Sequence, residues 1–281
     1  MNTLVIIPAL NAESTLPALL DSLCAQKGCD YDIQVIDSSS GDSTVALARE
    51  AGCHVYSISQ KDFNHGATRW QATLLHPEAT FVVYLTQDVV LENEYALARL
   101  LHALEAEDVG CAYGRQLPCR DANIFAAHAR NFNYPPVSRL KSKNDADSLG
   151  LATAFLSNSF AAYRMDALRA VGGFPPIDYG EDMCAAAKML MIGWKVAYVA
   201  EARAYHSHNL TLWQEFCRCR SMGKLHQEQP WILDAFGHAE HEALSFVLSE
   251  TKTILRCTPW LLPKAMLRNA VKYLGYLAGK I

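Results

Sequence analysis

Short apolar runs alternate with amphipathic stretches along the first half of the chain. Positions 4–7, 33–36, 55–58 and 81–85 read as strands. The last of these, FVVYL, is wholly apolar and rich in β-formers, as central parallel strands are. Between them, residues 16–24, about 43–51 and 67–75 place apolar side chains at helical spacing, with Ser14 or Asn11 available to cap the first helix. Strand and helix alternating at this rhythm predict a doubly wound, mostly parallel α/β sheet flanked by helices.

The second half is less regular. Strands are expected at 109–113, 159–164 and 196–199, with a helix over 181–192. Residues 118–148 are polar, interrupted by Pro135-Pro136, and read as an irregular, substrate-facing element. From residue 210 onward the pattern is helical.

Beyond Glu250 the chain has no acidic residue but keeps Lys252, Arg256, Lys264, Arg268, Lys272 and Lys280 among leucines, Trp260, Tyr273 and Tyr276. Such a C-terminal helix suits an anionic membrane surface; it equally suits a terminal helix packed on the domain with its lysines solvated.

With 281 residues, 51% of them hydrophobic, the chain can bury a real core and is not a disordered one. A net charge of −4 leaves no global basic field, so nucleic acid is not an expected partner. The opening MNTLVIIPALNAE lacks a basic leader and reads as a first strand rather than a signal peptide, and no apolar run is long enough to span a membrane. The nine cysteines form no CxxC pair and are expected to be reduced thiols of a cytoplasmic protein.

In an open parallel sheet, ligands bind beyond the carboxyl ends of the strands. The polar segments there are Pro8 to Glu13, Asp37 to Thr44 and Thr86-Gln87-Asp88. With no GxGxxG and no P-loop, a dinucleotide or NTPase site is disfavoured. Asp37 and Asp88 would repel a nucleotide diphosphate unless a divalent cation, Mg²⁺ or Mn²⁺, lay between. Asp42, two residues before Thr44, reads as a helix cap. Glu181 and Asp182 open a helix, where acids are ordinary dipole partners, yet one of them could serve as a general base. His206 and His208 follow the last strand and bring two imidazoles to the same rim.

Taken in order, V-I-I-P-A-L-N-A-E, D-S-S-S-x-D-x-T, the aspartate after strand four, G-E-D and the downstream histidine resemble the inverting GT-A-fold glycosyltransferases, the large family-two type, over about residues 2–228. Within it, F-N-H-G-A-T-R at 63–69, T-Q-D at 86–88, N-F-N-Y-P at 131–135 and H-S-H-N at 206–209 are similar to segments of bacterial rhamnosyltransferases. The sequence departs from them at Trp70, where Asn is usual, and at Gln87-Asp88, where a fuller D-x-D would supply a second carboxylate.

The resemblance implies a GT-A catalytic domain over 1–208, with a nucleotide half of about 1–115 and an acceptor half of about 116–208, followed by a helical extension over 209–281. It implies that Pro8, Asn11 and Glu13 line a nucleoside pocket, that Asp37 bonds the pyrimidine, and that His65, Gly66, Arg69 and Gln87 belong to the nucleotide-sugar site. Asp88 would hold a divalent metal with His206 and His208, and Asp182, with Glu181 beside it, would be the base. The implied activity is transfer of L-rhamnose from dTDP-L-rhamnose to a lipid-linked glycan acceptor of a surface polysaccharide, at the cytoplasmic face of the inner membrane. Another nucleotide sugar on the same fold, or a non-catalytic nucleotide-binding subunit, are the alternatives.

Overall fold

The computed structural model describes residues 2–237 and 239–281, with His241 by its backbone alone. Its first unit comprises residues 2–116, 135–143 and 155–206. Here β1 (Thr3–Ala9), β2 (Asp32–Asp37), β3 (His54–Ser57) and β4 (Phe81–Leu85) run parallel in the order β3–β2–β1–β4. Strands β1 and β4 are buried nearly throughout, which is why their sequences are largely apolar runs.

Strands β5 (Val90–Leu91), β6 (Val109–Leu117), β7 (Arg139–Lys141), β8 (Phe160–Arg164) and β9 (Lys195–Tyr205) complete one sheet of nine among the described residues. The order continues β4–β8–β6–β9–β5, with β7 on β9. Strands β1 to β4 pair in parallel, whereas β8 runs antiparallel to both β4 and β6, and β9 antiparallel to β5 and β7. The expected α/β sheet is present, with antiparallel pairs in its second half.

In the same unit α1 (Leu16–Cys24), α2 (Thr44–Glu50), α3 (His65–Leu74) and α4 (Ala96–His102) follow the early strands. Helix α1 buries Leu16, Leu19, Leu20 and Leu23, one stripe at i, i+3, i+4, i+7, against Val5, Ile7, Val83 and Leu97. Each such leucine stabilises the fold by about 1.5–3 kcal/mol. Neither Ser14 nor Asn11 caps α1. Thr15 is its N-cap without a side-chain bond, and the amides of Ala12 and Glu13 donate instead to Thr44 Oγ1 and Asp42 Oδ2.

The second unit comprises residues 117–134, 144–154 and 207–281. This unit takes in 117–134 and 144–154, part of the stretch expected to be an acceptor half, together with the helical extension. The reason is α5 (Ile124–Asn133), which lies inside the stretch read as irregular; it is capped by Asn123, and its Phe125 clusters with Ile254 and Ala265.

After α6 (Ala146–Leu149), and after α7 (Met165–Ala170) and α8 (Glu181–Met191) of the first unit, come α9 (Leu212–Glu228), α10 (Pro230–Phe236), α11 (Glu240–Cys257) and α12 (Leu262–Gly279). Helices α9 and α12 touch backbone to backbone. A Cβ at Gly223 would lie 2.1 Å from the Tyr276 carbonyl oxygen, and one at Gly279 would lie 2.0 Å from that of Arg220. The buried ion pair Arg268–Glu215 locks the same two helices. Arg268 and Lys272 are thus not solvated: Lys272 sits over Phe246 and faces the buried Glu250. All nine cysteines are free thiols, as expected.

Candidate active site

The loops beyond β1 and β2 are laced together by their own polar residues. Asn11, in the left-handed region at φ 48°, accepts the Gly41 amide on Oδ1, and its own amide donates to Ser40 Oγ. Glu13 accepts from the Ser43 amide. The N-cap of α2 is Ser43, not Asp42 as expected; Asp42, one residue earlier, accepts the Thr44 amide. Asp37, buried at the end of β2, accepts the amides of Ser39 and Ser40 and so holds Ser39 at φ 64°. Pro8 is partly buried within β1. The Gln87 amide pairs with both backbone groups of Leu10, at 2.8 and 3.3 Å, and staples the loop after β4 to the loop after β1.

A second group forms between α3 and α8. Asn64 caps α3 through the Ala67 amide and donates to Asp178, which anchors the loop ahead of α8. Gly66 donates its amide to the Ile177 carbonyl, and the place of its absent Cβ is filled by the Pro175 carbonyl oxygen, 1.8 Å away. The close approach at this glycine is therefore made by the chain's own loop. Substituting Gly66→Ala is expected to destabilise the fold by about 2–4 kcal/mol. A denaturant-unfolding midpoint equal to that of the wild type would contradict this. Trp70, one turn on, packs its ring on Gly173 of the same loop.

That packing brings Arg69 onto Glu181. Both are buried, with Nη1 to Oε1 at 3.0 Å, and Nη1 also lies 3.0 Å from His65 Nδ1. Neither Glu78 nor Asp62, the sequence neighbours of opposite charge, is the partner. Asn158, also buried, donates its side-chain amide to Glu181 Oε1 and accepts from Tyr163 Oη.

Glu181 is thereby consumed as a charge partner, while Asp182 stays partly exposed. Asp182 accepts the backbone amides of Asn158 and Met183 at 3.0 and 2.8 Å. Burial, and then the Glu181 charge beside it, push its carboxyl up to about 7 against the opposing pull of those amides and Arg69. A carboxylate that titrates near neutrality is what a general base requires.

A third group arises from the pairing of β5 with β9. Val90 lies opposite Tyr205, so the residues before β5 meet those after β9. Asp88 Oδ2 and His206 Nε2 accordingly stand 3.5 Å apart. On the other side of the ring, His206 Nδ1 is 2.8 Å from Gln116 Oε1. A carbonyl oxygen only accepts, so Nδ1 donates to Gln116, and Nε2 is the ring atom that faces Asp88. Gln116 is itself fixed by donating to Ser157 Oγ. A carboxylate oxygen and an imidazole nitrogen facing one another are the donor types a divalent cation takes. His208, two residues further on, is exposed and lies in the other unit.

Gln116 and Asn158 are the residues that sequence reasoning missed. Ser157-Asn158 joins the last two groups: one residue holds Gln116, the next holds both acids of α8.

A family model, "Glycosyl transferase family 2", matches residues 4–172. The O-antigen chain rhamnosyltransferase RfbN of Salmonella typhimurium is 43% identical over 282 residues, covering 100% of this chain and 90% of the relative. WbaN of Salmonella anatum, also an O-antigen chain rhamnosyltransferase, is 47% identical over 88% of this chain and 78% of its own. Among solved structures, the mannosyltransferase PcManGT of Pyrobaculum calidifontis, in complex with GDP-Man and Mn²⁺, superposes with a TM-score of 0.64 at 17% identity, over 99% of this chain and 88% of that one. This likeness shows the GT-A-type fold. With a family model matched over more than half its length and relatives this similar from end to end, the chain belongs to glycosyl transferase family 2.

Proposed function

We propose that this protein is an inverting rhamnosyltransferase, moving L-rhamnose from dTDP-L-rhamnose to a lipid-linked glycan acceptor of a surface polysaccharide at the cytoplasmic face of the membrane. The observation that carries the reading is the likeness to two O-antigen chain rhamnosyltransferases, one of which spans the whole of this chain.

The chemistry follows from the α3–α8 group. Asp182 takes the proton of the acceptor hydroxyl as its oxygen bonds to the anomeric carbon. The bond from that carbon to the diphosphate breaks, and the nucleotide leaves with the electron pair. One displacement inverts the centre, so no enzyme nucleophile is needed. Glu181, paired with Arg69, lies beside Asp182, and with burial it raises the Asp182 carboxyl toward the range a base needs. Asp88 and His206 would hold a divalent cation, Mg²⁺ or Mn²⁺, and His208 is the further imidazole that the sequence offers it. When bound, the cation stabilises negative charge on the departing diphosphate. Pro8, Asn11, Glu13, Asp37, His65 and Gln87 then form the nucleotide-sugar site, in which Asn11, Asp37 and Gln87 act by fixing loop shape.

Thermal stability of the purified protein with dTDP, UDP, GDP or dTDP-L-rhamnose, each with Mg²⁺, Mn²⁺ or EDTA, tests this. A ligand at a hundredfold excess over its Kd stabilises the folded state by about 2.7 kcal/mol. The expected result is a metal-dependent rise in Tm confined to the thymidine ligands. A rise with UDP or GDP alone would replace the donor, and no rise with any nucleotide would overturn the transfer reading.

A further inference from the structure

The C-terminal unit carries an apolar surface that the site chemistry does not use. On α12, Ala265, Arg268, Gly275 and Gly279 are buried. The opposite side exposes Met266, Leu267, Tyr273, Leu274 and Leu277, each between 40% and 68% accessible, and Trp260 just ahead of the helix is 72% accessible. At 3.6 residues per turn these five helical positions fall within an arc of about 120° centred away from the buried side. Tyr and Trp at such positions combine an apolar body with a polar edge, which suits the depth of lipid headgroups.

Charge decides what covers this stripe. Lys264 on α12, Lys280 at its C-cap, and Lys252 and Arg256 on α11 are exposed, and residues 251–281 contain no acidic side chain. A second copy of the helix would bring cation against cation, whereas an anionic headgroup layer neutralises them. Among the described residues no helix is long and apolar enough to cross a membrane, so the contact lies in the interface plane.

We propose that the outward face of α12, led by Trp260, docks on an anionic lipid bilayer. The inference deepens the lipid-linked acceptor reading above, and its test needs no sugar, so either can fail alone.

The experiment is co-sedimentation of the full chain with vesicles of phosphatidylcholine alone or mixed equally with phosphatidylglycerol, with sedimentation velocity run in parallel. Wild-type protein is expected to bind the mixed vesicles, to bind the neutral ones far less, and to be released by salt. Leu274→Glu is expected to weaken binding roughly tenfold or more. Val137→Glu, at an exposed apolar residue of the first unit, should leave binding unchanged, with both variants melting like the wild type. Equal binding to both vesicles, no binding to either, or unchanged binding of Leu274→Glu would overturn the proposal. So would a wild-type dimer that Leu274→Glu dissociates, which would assign the face to a second copy.

Discussion

Asp182→Asn is expected to lower kcat by about a thousandfold while nucleotide-sugar binding persists. The amide keeps the size of the side chain but has no lone pair basic enough to take the acceptor proton. Because burial and Glu181 raise Asp182 to about 7, the wild-type rate should climb with pH and level off near that value, instead of near 4 as for an ordinary aspartate. The sign follows from the role, since only the ionised form is a base. Glu181→Gln removes the like charge and leaves Arg69 beside the site, so its rising limb should move to lower pH. Steady-state kcat across pH 5–9 for the three proteins is the measurement. Full turnover by Asp182→Asn, or a limb that Glu181→Gln does not move, would remove Asp182 from this role.

The second large effect is expected at Asp88. Asp88→Asn keeps one oxygen near His206 Nε2 but loses the negative charge that draws a cation there. Loss of charge stabilisation at a leaving group costs about a hundred- to a thousandfold in kcat, and the response to added Mn²⁺ or Mg²⁺ should weaken with it. Titrating each metal against kcat/KM in both proteins reads this directly. A variant that keeps the wild-type metal response would show that the cation is held elsewhere. Asp88 is partly exposed outside the regular strands, so an unchanged Tm is expected and separates this outcome from misfolding.

Much of the first half was readable because its signals are local. The buried strand Phe81–Leu85 and the leucine stripe of Leu16–Cys24 coincide with the expected elements. Residues 118–148 were not legible in the same way. Helix α5 buries only Phe125, Ala126 and His128, too sparse a stripe to stand out beside Pro135-Pro136. Site residues divide by the same rule. Asp88, Asp182 and His206 sit in motifs at strand ends or a helix start, whereas Gln116 and Asn158 have no local signature, and their importance comes from partners 90 and 24 residues away. The cap of α1 failed for the same reason, because its loop amides are bound by Asp42 and Thr44 from another strand's loop.

The pairing of β5 with β9 also fixes when in the life of the chain a catalyst exists. Strands β1 to β4 pair among themselves, and all four lie within the first 85 residues. Asp88 waits for His206, and His206 for a glutamine 90 residues behind it, since two-residue β5 and the strand β6 meet them only through β9. Closing so long a loop is entropically costly and is repaid only once β8 and β9 have joined the sheet. A nascent chain that has emerged through β6 therefore carries the parallel half of the fold and no competent centre, and synthesis must pass residue 206 before the first sugar can be transferred.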